Sequence, residues 1–123
     1  MELRRAETAG PETLRQFELR WANLSPPAGR RPVLLLSRTP AYEYLNRVLV
    51  AEITTTIRGI PQELPLGKHE GLPRPCVANL DALRSVERSL LGERIGALVS
   101  ARHSEVKRAL GYAVDWAELK ALS

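Results

Sequence analysis

The alternation of apolar and polar positions divides the chain into short strands and one helix. Residues 33–36 are a continuous aliphatic run, and residues 48–53 are nearly one. Runs of this length, rich in β-branched residues and bounded by proline or polar residues, predict strands buried largely on both faces. Successive strand residues point to opposite faces. In the second strand, Leu49, Ala51, Ile53 and Ile57, with Thr55 among them, make the expected core face. Val48, Val50, Glu52, Thr54 and Thr56 make a face that turns polar at its C-terminal end. In the first strand, Arg31, Val33, Leu35 and Ser37 share a face.

The flanking segments follow the same logic. Residues 14–24 alternate Phe17, Leu19 and Trp21 against Glu18, Arg20 and Ala22, which predicts a half-buried first strand. The stretch SPPAGRRP is a loop. Four prolines and two glycines in 60–75 exclude a helix and permit a short edge strand at 62–66. Residues 76–80 start another strand, continuing or turning at Asp81; Arg88 to Gly92 reads as one helical turn, and Glu93 to Val99 as the last strand. Ser100 is expected to cap a helix with an apolar stripe of Val106, Ala109, Leu110, Ala113, Val114 and Ala117. Gly111 weakens that helix by about 1 kcal/mol relative to alanine, and the helix ends or bends near Asp115. Many short strands joined by turns predict a mainly β fold, a small closed or nearly closed barrel with a C-terminal helix. Residues 1–13 read as a polar N-terminal extension, and 14–123 as one domain.

Composition narrows the function. At 123 residues the chain suits one domain with a real core. No apolar run is long enough to span a bilayer, and the charged N-terminus lacks the apolar core of a secretory signal. The single cysteine, Cys76, rules out an intrachain disulfide and suits a reducing cytosol. The net charge is +4, and 15 of the 18 basic residues are arginine, whose planar donor fork suits phosphate. A general preference for arginine codons explains the same excess. No block of the chain is strongly basic, which argues against an extended nucleic-acid arm and allows a small local site.

Several chemistries are missing. Cys76, His69 and His103 stand isolated, at no metal-ligand spacing. There is no glycine-rich phosphate loop and no nucleophile elbow. Glu63 and Glu70 read as solvated loop acids, and no carboxylate cluster for a metal can be assembled. No cofactor or metal is therefore expected, and phosphoryl chemistry would run on arginine, hydroxyls and one glutamate. The polar face of the second strand, with Glu52, Thr54 and Thr56 and an arginine nearby, is the place for it. Threonine is also simply a good strand former, and Arg31 is equally readable as a solvated strand end; without a further clue this plainer reading stands.

The further clue is a resemblance. The segments WANLSPPAGRRPVLLLSR, VLVAEITTTIRGIP and NLDALRSVERSLLGERIGALVSARHSEVKRAL occur in the order and spacing of the MazF/PemK toxin family, over roughly residues 17–115. The resemblance implies an SH3-like β-barrel with a C-terminal helix, acting as a homodimer. It implies metal-independent, sequence-selective cleavage of single-stranded RNA through 2′-hydroxyl attack, giving 2′,3′-cyclic phosphate and 5′-hydroxyl ends. It also implies a cognate antitoxin whose acidic, partly disordered tail occupies the RNA groove. The family's catalytic arginine, in its R-P-V element, falls on Arg31. Its catalytic threonine, in the motif ending A-x-I-T, falls on Thr54. In-line attack builds negative charge on the non-bridging oxygens, and a fixed guanidinium and hydroxyl stabilise it. Arginine is a poor general base, so Arg31 is read as charge stabiliser and proton donor candidate, and Thr54 as phosphate anchor.

The chain departs from the family pattern. Its first loop is short and lacks the Ser-Glu-Gln stretch that many members carry. Ala82 stands where many have glutamine and Cys76 where many have serine; these positions face the bases in the family, so the cleavage motif is not inferable. Glu52 stands where relatives often have alanine or proline. It is a candidate partner for Arg31 or another site arginine, or for the missing base; the plainer reading leaves it in solvent. Candidate RNA contacts are Arg30, Ser37, Arg38, Glu52, Thr56, Arg58 and Cys76. Two alternatives share the barrel: a toxin that poisons DNA gyrase, whose relative carries a contact tryptophan close to its C-terminus, whereas Trp116 here lies seven residues from the end, and a non-catalytic module that holds RNA or a protein tail, against which the presence of both Arg31 and Thr54 counts.

Overall fold

The computed structural model describes residues 14–123; the polar extension expected at 1–13 lies outside them. Six strands make one antiparallel sheet: β1 Glu18–Asn23, β2 Arg30–Leu35, β3 Arg47–Thr54, β4 Glu63–Leu66, β5 Cys76–Glu87 and β6 Leu91–Ala97. Their order is β4-β5-β3-β2-β1-β6. Helix α1 (His103–Val114) and a short α2 (Ala117–Lys120) follow. The two aliphatic runs are the adjacent central strands β2 and β3, and the proline-rich segment supplies the short edge strand β4 as its composition predicts.

Both faces of the sheet carry a core. On one, Leu19, Leu34, Ala51 and Ile53 meet Val106 and Ala109 of α1. On the other, Ala22, Val33, Leu35, Val48 and Val50 meet Tyr42 and Val86. This is why residues 33–35 of β2 read as a continuous apolar run: there neither face of the strand meets water. The second face ends, along β3, in Glu52 and Thr54, both half-buried.

The sheet curls without closing. Its edges are β4 and β6, and the 3₁₀ turn Lys68–Glu70 bridges the gap by pressing onto β6. A Cβ at position 96 would overlap the carbonyl oxygen of Glu70, so the close approach depends on Gly96.

Several expectations are corrected. The first strand begins at Glu18 because Phe17 has φ 69° and breaks the extended run. Its polar alternates are not in solvent. Glu18 and Arg20 are buried, and Glu18 binds Arg20 at 3.0 Å and Arg94 at 3.0 Å. Strand β1 is flanked by β2 and β6, so a paired charge takes the place that an apolar residue would otherwise fill. Leu49 and Ile57 leave the expected core face: both are exposed, and Ile57 lies past the end of β3 at Thr54. Glu63 and Glu70 are buried rather than solvated. Residues 76–87 form one strand, interrupted where Ala51 pairs Leu83 but the next residue, Glu52, pairs Asn79. Residues 80–82 thus bulge from the ladder.

The C-terminal helix is also anchored differently from the expectation. A 3₁₀ turn, Ser100–Arg102, precedes it, and neither this turn nor α1 has a side-chain cap. Arg102 holds this end instead, through Glu105, Glu70 and the carbonyl of Pro65. Of the apolar stripe, Val106 and Ala109 are buried and Leu110 and Ala113 pack beside them, whereas Val114 and Ala117 are exposed. The helix stops at Asp115, which adopts the left-handed conformation expected of a C-terminal cap. Gly111 is accounted for by α2, which folds back so closely that a Cβ would lie 2.7 Å from that of Leu119.

Candidate active site

Three elements converge at one end of β2 and β3. The loop before β2 runs from Leu24 to Gly29 and is closed by a hydrogen bond from Leu24 N to Gly29 O of 2.9 Å, with Pro26 and Pro27 joined by a cis peptide. Arg31 follows on β2. Across the ladder Val33 pairs Glu52, and the same antiparallel register carried two residues further sets Arg31 level with Thr54. Both side chains line one cavity of about 410 Å³, with Arg30, Thr55, Thr56 and Cys76 also on its wall.

Two hydrogen bonds orient the chemistry of this cavity. Arg31 Nε donates to Ala28 O at 3.2 Å. This is the only hydrogen bond of its side chain among the described residues, so the two terminal amino groups remain for a ligand. Thr54 Oγ1 accepts the amide of Thr56 at 3.1 Å. A hydroxyl whose lone pair is engaged this way keeps its proton for an acceptor in the cavity. The turn after β3 is pinned from behind: the buried carboxylate of Glu63 accepts the amides of Arg58 at 3.0 Å and of Gly59 at 2.9 Å. The arrangement offers positive charge and donors to an anion, and no buried base.

The remaining candidates separate by position. Arg30 and Thr56 line the cavity; the Arg30 guanidinium also lies 4.2 Å from the centroid of the Trp21 ring. Cys76 lines it as a buried thiol donating to Arg74 O at 3.4 Å, and burial pushes its pKa up, which keeps the sulfur protonated and unreactive. Ser37 and Arg38 are not brought there. They lie beyond the other end of β2, where Ser37 Oγ accepts the amide of Leu49 at 2.8 Å and Arg38 meets the Tyr44 hydroxyl. Arg58 is exposed in the turn after β3 and does not line the cavity.

Glu52 has an arginine partner, but it is Arg84, which sequence reasoning did not name. Its Oε2 lies 2.8 Å from Nη1 of Arg84 on β5. Arg84 pairs across the ladder with Val50, which shares a face of β3 with Glu52, and nothing in the string ALRSVE signals which strand it will pair with. Among the described residues no group of three or more His, Cys, Asp or Glu is placed to hold a metal ion, and no helix is long and apolar enough to cross a membrane.

Fold and site together define a small curled antiparallel sheet with a C-terminal helix, carrying a cavity lined by an arginine and a threonine. Residues 15–114 match the family of PemK-like, MazF-like toxins of type II toxin-antitoxin systems, and the chain belongs to that family. It is 41% identical to the probable endoribonuclease MazF5 of Mycobacterium tuberculosis over 80% of this chain and 90% of the relative. Its fold is similar to the solved structure of the toxin MazF-mt6 of the same species, with a TM-score of 0.75 and 35% identity over 80% of this chain and 96% of the toxin. It is also similar to a MazE–MazF structure from Deinococcus radiodurans, with a TM-score of 0.70 and 28% identity over 83% of this chain and 96% of that one.

Proposed function

We propose that this protein is the toxin of a type II toxin-antitoxin pair and an endoribonuclease that cuts single-stranded RNA. The observation that carries the catalytic part is the meeting of Arg31 and Thr54 on one cavity. The strand's own 2′-oxygen forms the new bond to phosphorus and the bond to the 5′-oxygen breaks, leaving a 2′,3′-cyclic phosphate and a 5′-hydroxyl. The 2′-proton leaves to a base, and the departing 5′-oxygen takes up a proton. Arg31, tethered at Nε, offers its terminal amino groups to the non-bridging oxygens as charge grows there, and it is the candidate donor to the leaving oxygen. Thr54 gives its hydroxyl proton to the same phosphate. Fixed donors aimed at developing charge are the largest contribution such a site can make, and they need no metal. The requirement for the 2′-hydroxyl separates RNA from DNA.

The protein acts as a homodimer in the cytoplasm, in keeping with its single reduced cysteine. Its partner is an acidic antitoxin segment whose carboxylates occupy the arginine-lined cavity in place of phosphate. The test is incubation of the purified protein with a long single-stranded RNA in EDTA. Discrete fragments with cyclic-phosphate ends, absent with Arg31→Ala, support the reading. Intact RNA overturns it: inhibition of gyrase then points to the gyrase-directed toxin, and binding alone to a non-catalytic module.

A further inference from the structure

The cavity that holds Arg31 and Thr54 has a neighbour, and Arg31 is on the wall of both. The second, about 430 Å³, is bounded by the proline loop, Glu52 and Arg84. Glu52 stands two residues before Thr54 on β3 and therefore on the same face. Its ion pair is the only hydrogen-bonded contact of the Arg84 side chain among the described residues. The two side chains are 38% and 25% exposed. An ion pair partly open to water is held less tightly than a fully buried one and leaves its guanidinium accessible to another anion. Phosphate and carboxylate present the same oxygen geometry to a guanidinium. A third cavity, of about 500 Å³, shares Ser25 and Arg84 with the second and adds Arg47, so a strand crossing Arg84 continues towards a further arginine.

We propose that Arg84 is a second phosphate-binding group of this site, taking the phosphodiester next to the one held by Arg31 and Thr54, and that Glu52 is its internal stand-in. In the free protein the carboxylate holds the guanidinium over the cavity; when RNA binds, a backbone phosphate takes its place. The proposal rests on the reading of the Arg31 cavity as an RNA site. It accounts for an acid on the polar face beside Thr54, where an unpaired carboxylate would repel the substrate.

The probe is a random-sequence 2′-O-methyl oligoribonucleotide, which lacks the attacking hydroxyl, bound by the full chain across a KCl series. Arg84→Gln is expected to weaken binding about tenfold. It should also lower the magnitude of the salt slope by about 0.7, the value of one phosphate contact on a single strand. Arg84→Lys keeps the charge and should keep the slope while losing part of the affinity. Glu52→Gln should tighten binding several-fold in the wild-type background and have no effect in the Arg84→Gln background. Equal tightening in both backgrounds would mean that Glu52 acts by general repulsion, and an unchanged slope in Arg84→Gln that no phosphate sits there; either overturns the proposal. Cleavage of ordinary RNA separates the two readings. A wild type that cuts, with an Arg84→Gln slope unchanged, removes the subsite alone. A wild type that binds with the Arg84 dependence and never cuts removes the nuclease alone, and a wild type that does not bind removes both.

Discussion

Arg102 reaches from the turn before α1 to Glu70, Nη1 to Oε2 at 3.1 Å, and so ties the C-terminal helix to the turn that spans the open seam of the sheet. Its other terminal nitrogen donates to Pro65 O at 2.7 Å on β4. Glu70 is 8% exposed at its side chain, and its second oxygen accepts the amide of Gly67, at 2.7 Å. Removing Arg102 leaves a buried carboxylate without its charge partner. Arg102→Met is expected to destabilise the protein by about 2 kcal/mol, below the usual loss for breaking a buried pair because Arg102 is partly solvated. Urea denaturation measures it, and adding Glu70→Gln should restore part of the loss.

The same arginine sets a pH dependence. Its hydrogen bonds to Glu105 hold that carboxyl below its ordinary value of 4.5, against the opposing effect of burial. The unfolded chain therefore binds this proton at a higher pH than the folded one. The stabilisation is fully present above the unfolded value and is lost as pH falls through the lower folded value. The urea midpoint should decline on acidification below about pH 4.5, and Glu105→Gln should shallow the decline.

Gly96 supplies a steric test of the seam. A Cβ there would overlap the carbonyl oxygen of Glu70, and backbone cannot rotate aside as a side chain can. Gly96→Ala is expected to lower stability by about 2 kcal/mol through overpacking. Gly92→Ala, four residues earlier on the same edge strand, meets nothing nearer than 3.6 Å. Its denaturation midpoint should stay close to that of the parent protein.

These contacts mark how far the sequence could be read. Period-two alternation and proline placement located the central strands β2 and β3, the edge strand β4 and the loop that carries Arg31. Parity alone put Glu52 and Thr54 on one face. What patterning could not show is pairing. Glu18 and Arg20 alternate with apolar neighbours as surface residues do, yet they are buried because their charges meet each other and Arg94. The bulge at 80–82 carries no proline or glycine to announce it, and the pairing of β5 with β3 that sets Arg84 beside Glu52 is written in neither strand alone. Glu63 and Glu70 look like loop acids because their partners, backbone amides and Arg102, come from turns whose geometry follows from the fold.

Arg31 is expected to tolerate no replacement, its charge-conserving one included. Its tether to Ala28 O uses Nε while two further nitrogens stay directed elsewhere. A lysine has one nitrogen and cannot do both. Arg31→Ala should lower kcat for RNA cleavage about 100- to 1,000-fold, the usual loss when a preorganised donor to developing charge is removed. Arg31→Lys should recover only a small part of that, with RNA affinity near normal. Single-turnover cleavage beside a binding titration separates the two quantities; equal losses in both would make Arg31 a mere binding charge.

Thr54 is constrained by its hydroxyl and not by its shape. Its Oγ1 accepts the Thr56 amide and thereby directs its own proton into the cavity. Thr54→Ser preserves acceptor and donor and should retain most activity. Thr54→Val preserves volume but offers neither. It leaves the Thr56 amide without that acceptor, which is tolerable because Thr56 is exposed, and it removes the donor to phosphate. The expected result is a folded protein with the parental urea midpoint and kcat lower by at least tenfold, the order of one lost charge-assisted hydrogen bond. Equal rates for Thr54→Val and Thr54→Ser would show that the hydroxyl takes no part and that the threonine serves only to pack the end of β3.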